Sequence, residues 1–181
     1  MKKSFLLLLT TIFSIALSAQ TKTTNDLHKK YEDAFALYFY SNTLKMLNQT
    51  GDKDFDELVK DIEKMKFLMI DKAELKFSPK EYSTLIKGYQ SEDYENMMSA
   101  RSNGKNFDVY LREDNNKVKG TLILVNDSSK LYILDIIGRV QPNQAIKFFN
   151  ALDQNSDIAQ KLKGFASSME DDKKDVEVKV D

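Results

Sequence analysis

Cysteine is absent from the 181-residue sequence, and histidine occurs once. The first absence excludes disulfides, zinc–thiolate sites and thiol catalysis, and with them the lipid-anchored lipoprotein route, which needs a Cys directly after a cleavage site. The second excludes multi-histidine metal sites, and any Ser-His-Asp triad would have to use His28. That residue stands among Asp26, Lys29 and Lys30 and reads as solvated surface. No G-x-G-x-x-G, Walker A or H-E-x-x-H pattern occurs. An excess of one charge is lacking too. The formal charge is −1, and without Lys2 and Lys3 it becomes −3. The tail Glu170 to Asp181 holds six acids and three lysines and so accounts for that −3. The remaining body is neutral, which argues against nucleic acid as a partner and against steering to anionic membranes.

Only one long apolar run exists. Lys2 and Lys3 precede Phe5 to Leu17, and small residues follow at Ser18 and Ala19. This is the layout of a secretory signal peptide, and the run is short for a bilayer span. Cleavage after Ala19, giving a signal peptide over 1–19, is preferred. Cleavage after Ser18 places the small Ala16 at the −3 position and is the alternative. The expected address is periplasmic or secreted, with no transmembrane anchor after processing and no lipid anchor. A mature chain of about 160 residues suffices for one hydrophobic core.

The rest divides into a polar lead over 20–26, a single domain over 27–153, a short amphipathic helix over 154–166 and a disordered acidic tail over 167–181. Within the domain, the segment from Lys105 to Gly138 organises the chain. Phe107, Val109 and Leu111 alternate with Asp108, Tyr110 and Arg112, the period of a half-buried strand. Asp114-Asn115-Asn116 supplies a turn. Thr121 to Val125 and Leu131 to Ile137 are apolar on both faces, as deeper strands are, and Asn126 to Ser129 separates them. Upstream, Ala34 to Tyr40 and Phe67 to Ile70 read as strands, and Tyr94 to Arg101 closes at a hairpin-like turn, Ser102-Asn103-Gly104.

Helices are expected near Leu27 to Asp33, at Asn42 to Leu47, and from Asp54 with the stripe Phe55, Leu58, Val59, Ile62. Ser78-Pro79-Lys80-Glu81 is the strongest helix start, with a cap, a first-position Pro and a capping-box Glu. Gln141-Pro142 starts the last helix, with its stripe at Ala145, Ile146, Phe149 and Leu152. Consecutive antiparallel strands flanked by helices give the α+β class: a mainly antiparallel sheet with a C-terminal four-strand meander packed against several helices.

At these elements the chain resembles a bacterial family, domain of unknown function 4252. The resemblance is carried by Tyr94 to Ser99, Gly104 to Glu113, Thr121 to Val125 and Leu131 to Gly138, and covers most of the mature chain. It implies an exported protein of a Gram-negative bacterium. Many members carry a lipoprotein Cys that this chain lacks, which implies a soluble form. The family brings no established activity or cofactor.

Four features could carry function. Acids at Asp52, Asp54, Asp56 and Glu63 occupy positions 1, 3, 5 and 12 of a calcium loop. Position 6, however, is Glu57 in place of Gly, and helix capping explains the acids more simply. Asp135 interrupts an apolar strand face. If buried it would have a raised pKa and become a functional candidate, although a place at the sheet rim is the plainer expectation. Tyr38, Tyr40, Tyr110 and Tyr132 all fall on strands. On one shared uncovered face they would form an aromatic platform, while the simpler account is that tyrosine suits a strand with one wet face. Converging carboxylates of a hydrolase would meet in space and not in sequence.

The leading expectation is a non-enzymatic envelope module that binds a protein or surface component through its sheet. A small carrier or sensor of an apolar ligand is the alternative. No catalytic residue, metal or cofactor is assigned.

Overall fold

The computed structural model describes residues 21–46, 51, 53–102 and 104–144. The expected signal peptide, the expected 154–166 helix and the acidic tail lie outside the described residues, as do residues 145–153 of the expected last helix.

The elements run α1 (Lys22–Lys30), β1 (Phe35–Tyr40), α2 (Ser41–Met46), α3 (Lys53–Val59), β2 (Ile62–Asp71), α4 (Pro79–Gln90), β3 (Glu95–Ser102), β4 (Lys105–Asp114), β5 (Lys117–Asn126) and β6 (Lys130–Gly138). The strands form one six-stranded antiparallel sheet in the order β1-β2-β6-β5-β4-β3. This is the α+β class with the β3–β6 meander that the alternation patterns predict. Turn chemistry sets the hairpins. Asn115 and Asn116 both adopt positive φ, 51° and 57°, between β4 and β5, where these residues tolerate the left-handed backbone. At the end of β6, Gly138 has φ 142°, and a Cβ there would collide with the Asp61 carbonyl.

Both faces of the sheet are buried, by separate cores. Leu44 of α2 and Phe55 and Val59 of α3 pack with Met65, Ile123, Leu134 and Ile136 on one face. Leu27 and Tyr31 near α1 and Leu85 and Tyr89 of α4 pack with Leu68, Leu122, Leu124 and Ile133 on the other. Each fully buried Leu or Ile contributes about 1.5–3 kcal/mol of burial. α4 starts as its sequence demands. The Ser78 hydroxyl accepts from Glu81 N, and the Glu81 carboxylate accepts from Ser78 N at 2.6 Å.

Three expectations are corrected. Residues 21–26 are not a loose lead: α1 begins at Lys22, and Thr21 and Thr24 are buried. The first helix ends at Lys30 and does not reach Asp33. Ile62 belongs to β2 and not to the α3 stripe, so the strand runs five residues further upstream than Phe67. The reason is tertiary. KTTNDLHKK has modest helix propensity, yet Glu92, distant in sequence, accepts Lys22 N–H at 2.8 Å and Thr23 N–H at 2.7 Å. This carboxylate satisfies two of the orphan donors of the α1 N-terminus.

Candidate functional site

Beneath α1 the sheet presents two ionisable residues to a closed interior. β2 and β6 pair so that Lys66 stands opposite Asp135, and both side chains lie on the α1/α4 face. Their exposures are 1% and 0%. The two do not turn to each other. Asp135 Oδ1 accepts the Thr21 hydroxyl at 2.8 Å, and the same hydroxyl lies 3.2 Å from Tyr94 OH. Lys66 Nζ donates to Asn25 Oδ1 at 3.3 Å and sits 4.8 Å from the centre of the Tyr38 ring. Thr24 and the Tyr89 hydroxyl are bonded at 3.0 Å. Asp135 Oδ2 has no hydrogen-bond partner.

The sequence builds this cluster by small residues in tight places. Gly120 on β5 leaves the room that the Tyr94 hydroxyl occupies. Gly88 of α4 lets α1 approach: a Cβ there would stand 2.7 Å from Thr23 Oγ1.

Burial dominates the electrostatics. It raises the Asp135 carboxyl above its usual range, an effect that the nearby Thr24 and Thr21 hydroxyls only partly offset. It lowers the Lys66 ammonium, against the pull of Asp135 in the other direction. Tyr94 is raised by burial and then by Asp135. At the outer end, Tyr38 OH bonds His28 Nδ1 at 2.7 Å. Partial burial and the Lys66 charge lower that histidine.

His28 is therefore not a solvated surface residue. It is half-buried and bonds Tyr38, whose ring in turn lies against the Lys66 ammonium. Asp135 is not at the sheet rim: it is fully buried, the condition under which it becomes a candidate. The four tyrosines do not share a face. Tyr110 belongs to the core beneath α1 and α4, while Tyr132 packs against the opposite core. Tyr38 and Tyr40 are 45% and 55% exposed on β1. The calcium-loop segment is helical from Lys53 to Val59, and Glu63 lies on β2. Among the described residues, no group of three or more metal-ligating His or acidic side chains converges.

Sequence reading missed Lys66, Thr21, Thr24, Tyr89 and Tyr94. Only Lys66 left a trace, as a cation inside the apolar run Met65 to Ile70. The cluster is closed to solvent at Lys66 and Asp135, so its chemistry is that of a lock: hydroxyls, an amide and two charges fasten α1 to the sheet. The accessible part of the region is the edge strand β1, where Tyr38 and Tyr40 are exposed on this face and Phe35, 47% exposed, on the other. A separate open cleft of about 600 Å³ lies at the far end of β4–β6. It is lined by Glu63, Arg112, Asp114, Lys117, Lys119 and Arg139, a mixed set of charges with no nucleophile–base pair.

No helix among the described residues is long and apolar enough to cross a membrane. Comparison with curated proteins and with solved structures finds no match. Residues 28–148 match the model of one family, described as Domain of unknown function (DUF4252), which spans the sheet, the interior lysine–aspartate cluster from His28 onward and the exposed edge, and the chain belongs to that family.

Proposed function

We propose that this protein is an exported, non-enzymatic binding module that recognises an envelope protein through the β1 edge of its sheet. One observation carries the reading. β1, Phe35-Ala36-Leu37-Tyr38-Phe39-Tyr40, is an edge strand with three exposed aromatic side chains. Edge strands are ordinarily blunted by Lys, Pro, bulges or a covering element. β1 contains no Lys, Pro or Gly, and its register with β2 runs without a shift from Phe35 to Tyr40. An extended peptide can add to such an edge by main-chain bonds, with aromatic side chains providing area on either side. Of the residues that the sequence singles out, Tyr38 and Tyr40 form part of this surface. Tyr110, Tyr132 and Asp135 support the scaffold behind it. Export to the periplasm or medium belongs to the same proposal and rests on the Lys2–Ala19 pattern and the absence of Cys.

The reading as a carrier of an apolar ligand has less behind it, since the 600 Å³ cleft is charged. The test compares capture of proteins from an envelope extract by the native chain and by a Phe35→Lys/Tyr40→Lys variant. The variant is expected to lose capture at least tenfold with an unchanged far-UV spectrum and melting temperature. Undiminished capture by a folded variant, or a monomer that carries a co-purified apolar molecule in native mass spectrometry, would overturn the proposal.

A further inference from the structure

Two register shifts of the sheet meet at one end of the molecule. Between β2 and β6 the pairing passes from Ile62↔Gly138 to Lys64↔Ile137, which leaves Glu63 as an extra residue of β2. Between β4 and β5 it passes from Arg112↔Gly120 to Glu113↔Val118, which leaves Lys119 as an extra residue of β5. A residue of this kind is re-aimed out of the ladder, and such kinks concentrate at sheet edges and beside functional sites. Glu63 and Lys119 both line the open cleft of about 600 Å³. That volume falls within the range of small-molecule sites, about 300–1,000 Å³.

The other walls are held from behind. Arg112 is half-buried, with its guanidinium carbon 5.2 Å from the centre of the Tyr94 ring, a contact that steadies the planar fork. Arg139 follows Gly138, whose φ of 142° and closeness to the Asp61 carbonyl admit no side chain. The Arg139 N–H is received by Asp61 O at 3.1 Å. Lys117 follows the Asn115-Asn116 turn. Four cations and two acids, Glu63 and Asp114, thus share one concavity, with Val118 and Ile137 as apolar ground between them. Among the described residues, no ion pair within 4.0 Å joins these cations to Glu63 or Asp114, and Arg139 reaches Asp61 at 4.0 Å. The cleft therefore keeps two positive charges in excess, on a chain whose formal charge is −1.

That set matches one class of ligand. A phosphomonoester carries about −1.5 to −2 charges at pH 7. Guanidinium forks bind phosphate oxygens in pairs, carboxylates accept hydroxyl hydrogens, and the apolar face of a sugar ring gains by covering Val118 and Ile137. We propose that this cleft binds a phosphorylated sugar, its phosphate among Arg112, Lys117, Lys119 and Arg139 and its hydroxyls on Glu63 and Asp114. The site uses no residue of the β1 edge, so the two surfaces can fail separately.

Calorimetry of the full chain with glucose 1-phosphate, in about 150 mM salt to screen loose surface attraction, tests the site. A Kd below about 1 mM is expected, with glucose and inorganic phosphate each at least tenfold weaker. Arg112→Gln should weaken binding at least tenfold. Because Arg112 also braces Tyr94, Lys119→Gln/Arg139→Gln, at exposed positions, should do the same with an unchanged melting temperature. Lys80→Gln on α4 should bind as the native chain does. Amide shifts in nitrogen-15 spectra should gather at residues 117–119 and 137–139. Glucose 1-phosphate anchored through its 6-hydroxyl on neutral vesicles separates two sources of this chemistry. Tighter binding there than to the free sugar assigns a glycolipid head group, equal or weaker binding a soluble ligand, and both support the site. Absence of heat, equal affinity for inorganic phosphate, full binding by the folded double variant, or shifts spread over lysines away from the cleft would overturn the proposal.

Discussion

Lys66 and Asp135 stand opposite in register across β2 and β6, both excluded from solvent, and each bonds α1 or its cap residue Thr21 rather than the other. The carboxylate holds Thr21 and the ammonium holds Asn25, so one buried pair of opposite sign pins a helix of modest intrinsic propensity at two points. Burying a charge costs several kcal/mol unless it is compensated, and removal of one member leaves the other exposed to that cost.

A double-mutant cycle should show this coupling. Asp135→Leu alone is expected to destabilise by about 2 kcal/mol, because the buried Thr21 hydroxyl loses its acceptor and the Lys66 ammonium loses the attraction of the carboxylate. Lys66→Met together with Asp135→Leu should recover at least half of that loss. Urea denaturation measures all four proteins, and strictly additive losses would sink the coupling.

The raised Asp135 carboxyl sets a pH dependence. Its folded pKa lies above its unfolded value near 3.9, so the folded state binds the proton more tightly. Its contribution to stability is full below the unfolded pKa and is lost as pH rises through the folded pKa. In the difference between native and Asp135→Asn stabilities, the native chain should lose ground steadily from pH 4 upward. A flat difference from pH 4 to 8 would remove Asp135 from any electrostatic role.

Glu81 should act in the opposite direction. Bonds from Lys30, Tyr31 and Ser78 hold its carboxyl down at about 2. Its stabilisation is therefore present above the unfolded value and lost as pH falls toward 2. Glu81→Gln is expected to cost about 1 kcal/mol at pH 7, the scale of a helix cap, and clearly less at pH 2, where about half of the carboxyl is protonated. Thermal melts at the two pH values check it, and an equal cost at both would show that the charge is irrelevant.

Gly120 and Tyr94 form a size-matched pair. A Cβ at position 120 would overlap the Tyr94 hydroxyl, so Gly120→Ala should destabilise by about 2 kcal/mol, as overpacking does. Tyr94→Phe removes that oxygen and its bond with Thr21, at about 1 kcal/mol. The double variant should be more stable than Gly120→Ala alone. Failure of Tyr94→Phe to relieve the alanine would place the strain elsewhere.

How much of this was legible differs by residue. Pro79 and Glu81 announced α4 because a capping box is a local device. Asn115 and Asn116 announced their turn because both tolerate the left-handed backbone that it uses. Asp135 was visible as an anomaly, but whether it lay at a rim or in a core depends on which strands flank β6. The register of β2 against β6 decides that, and no local pattern encodes it. Lys66 was overlooked for the same reason: a lysine in an apolar run reads as an outward-facing residue until a helix is laid over it.

By itself, then, the order of residues determined the α+β class, the meander and the start of α4, all of which rest on contacts between near neighbours in the chain. Tertiary structure alone decided that Thr21 and Thr24 are buried, that His28 bonds Tyr38, that Tyr110 and Tyr132 part to opposite faces, and that Lys66 stands opposite Asp135 in register. Those outcomes require partners 10 to 114 residues away in sequence, brought together by strand order, and strand order is set by the packing of two whole faces at once.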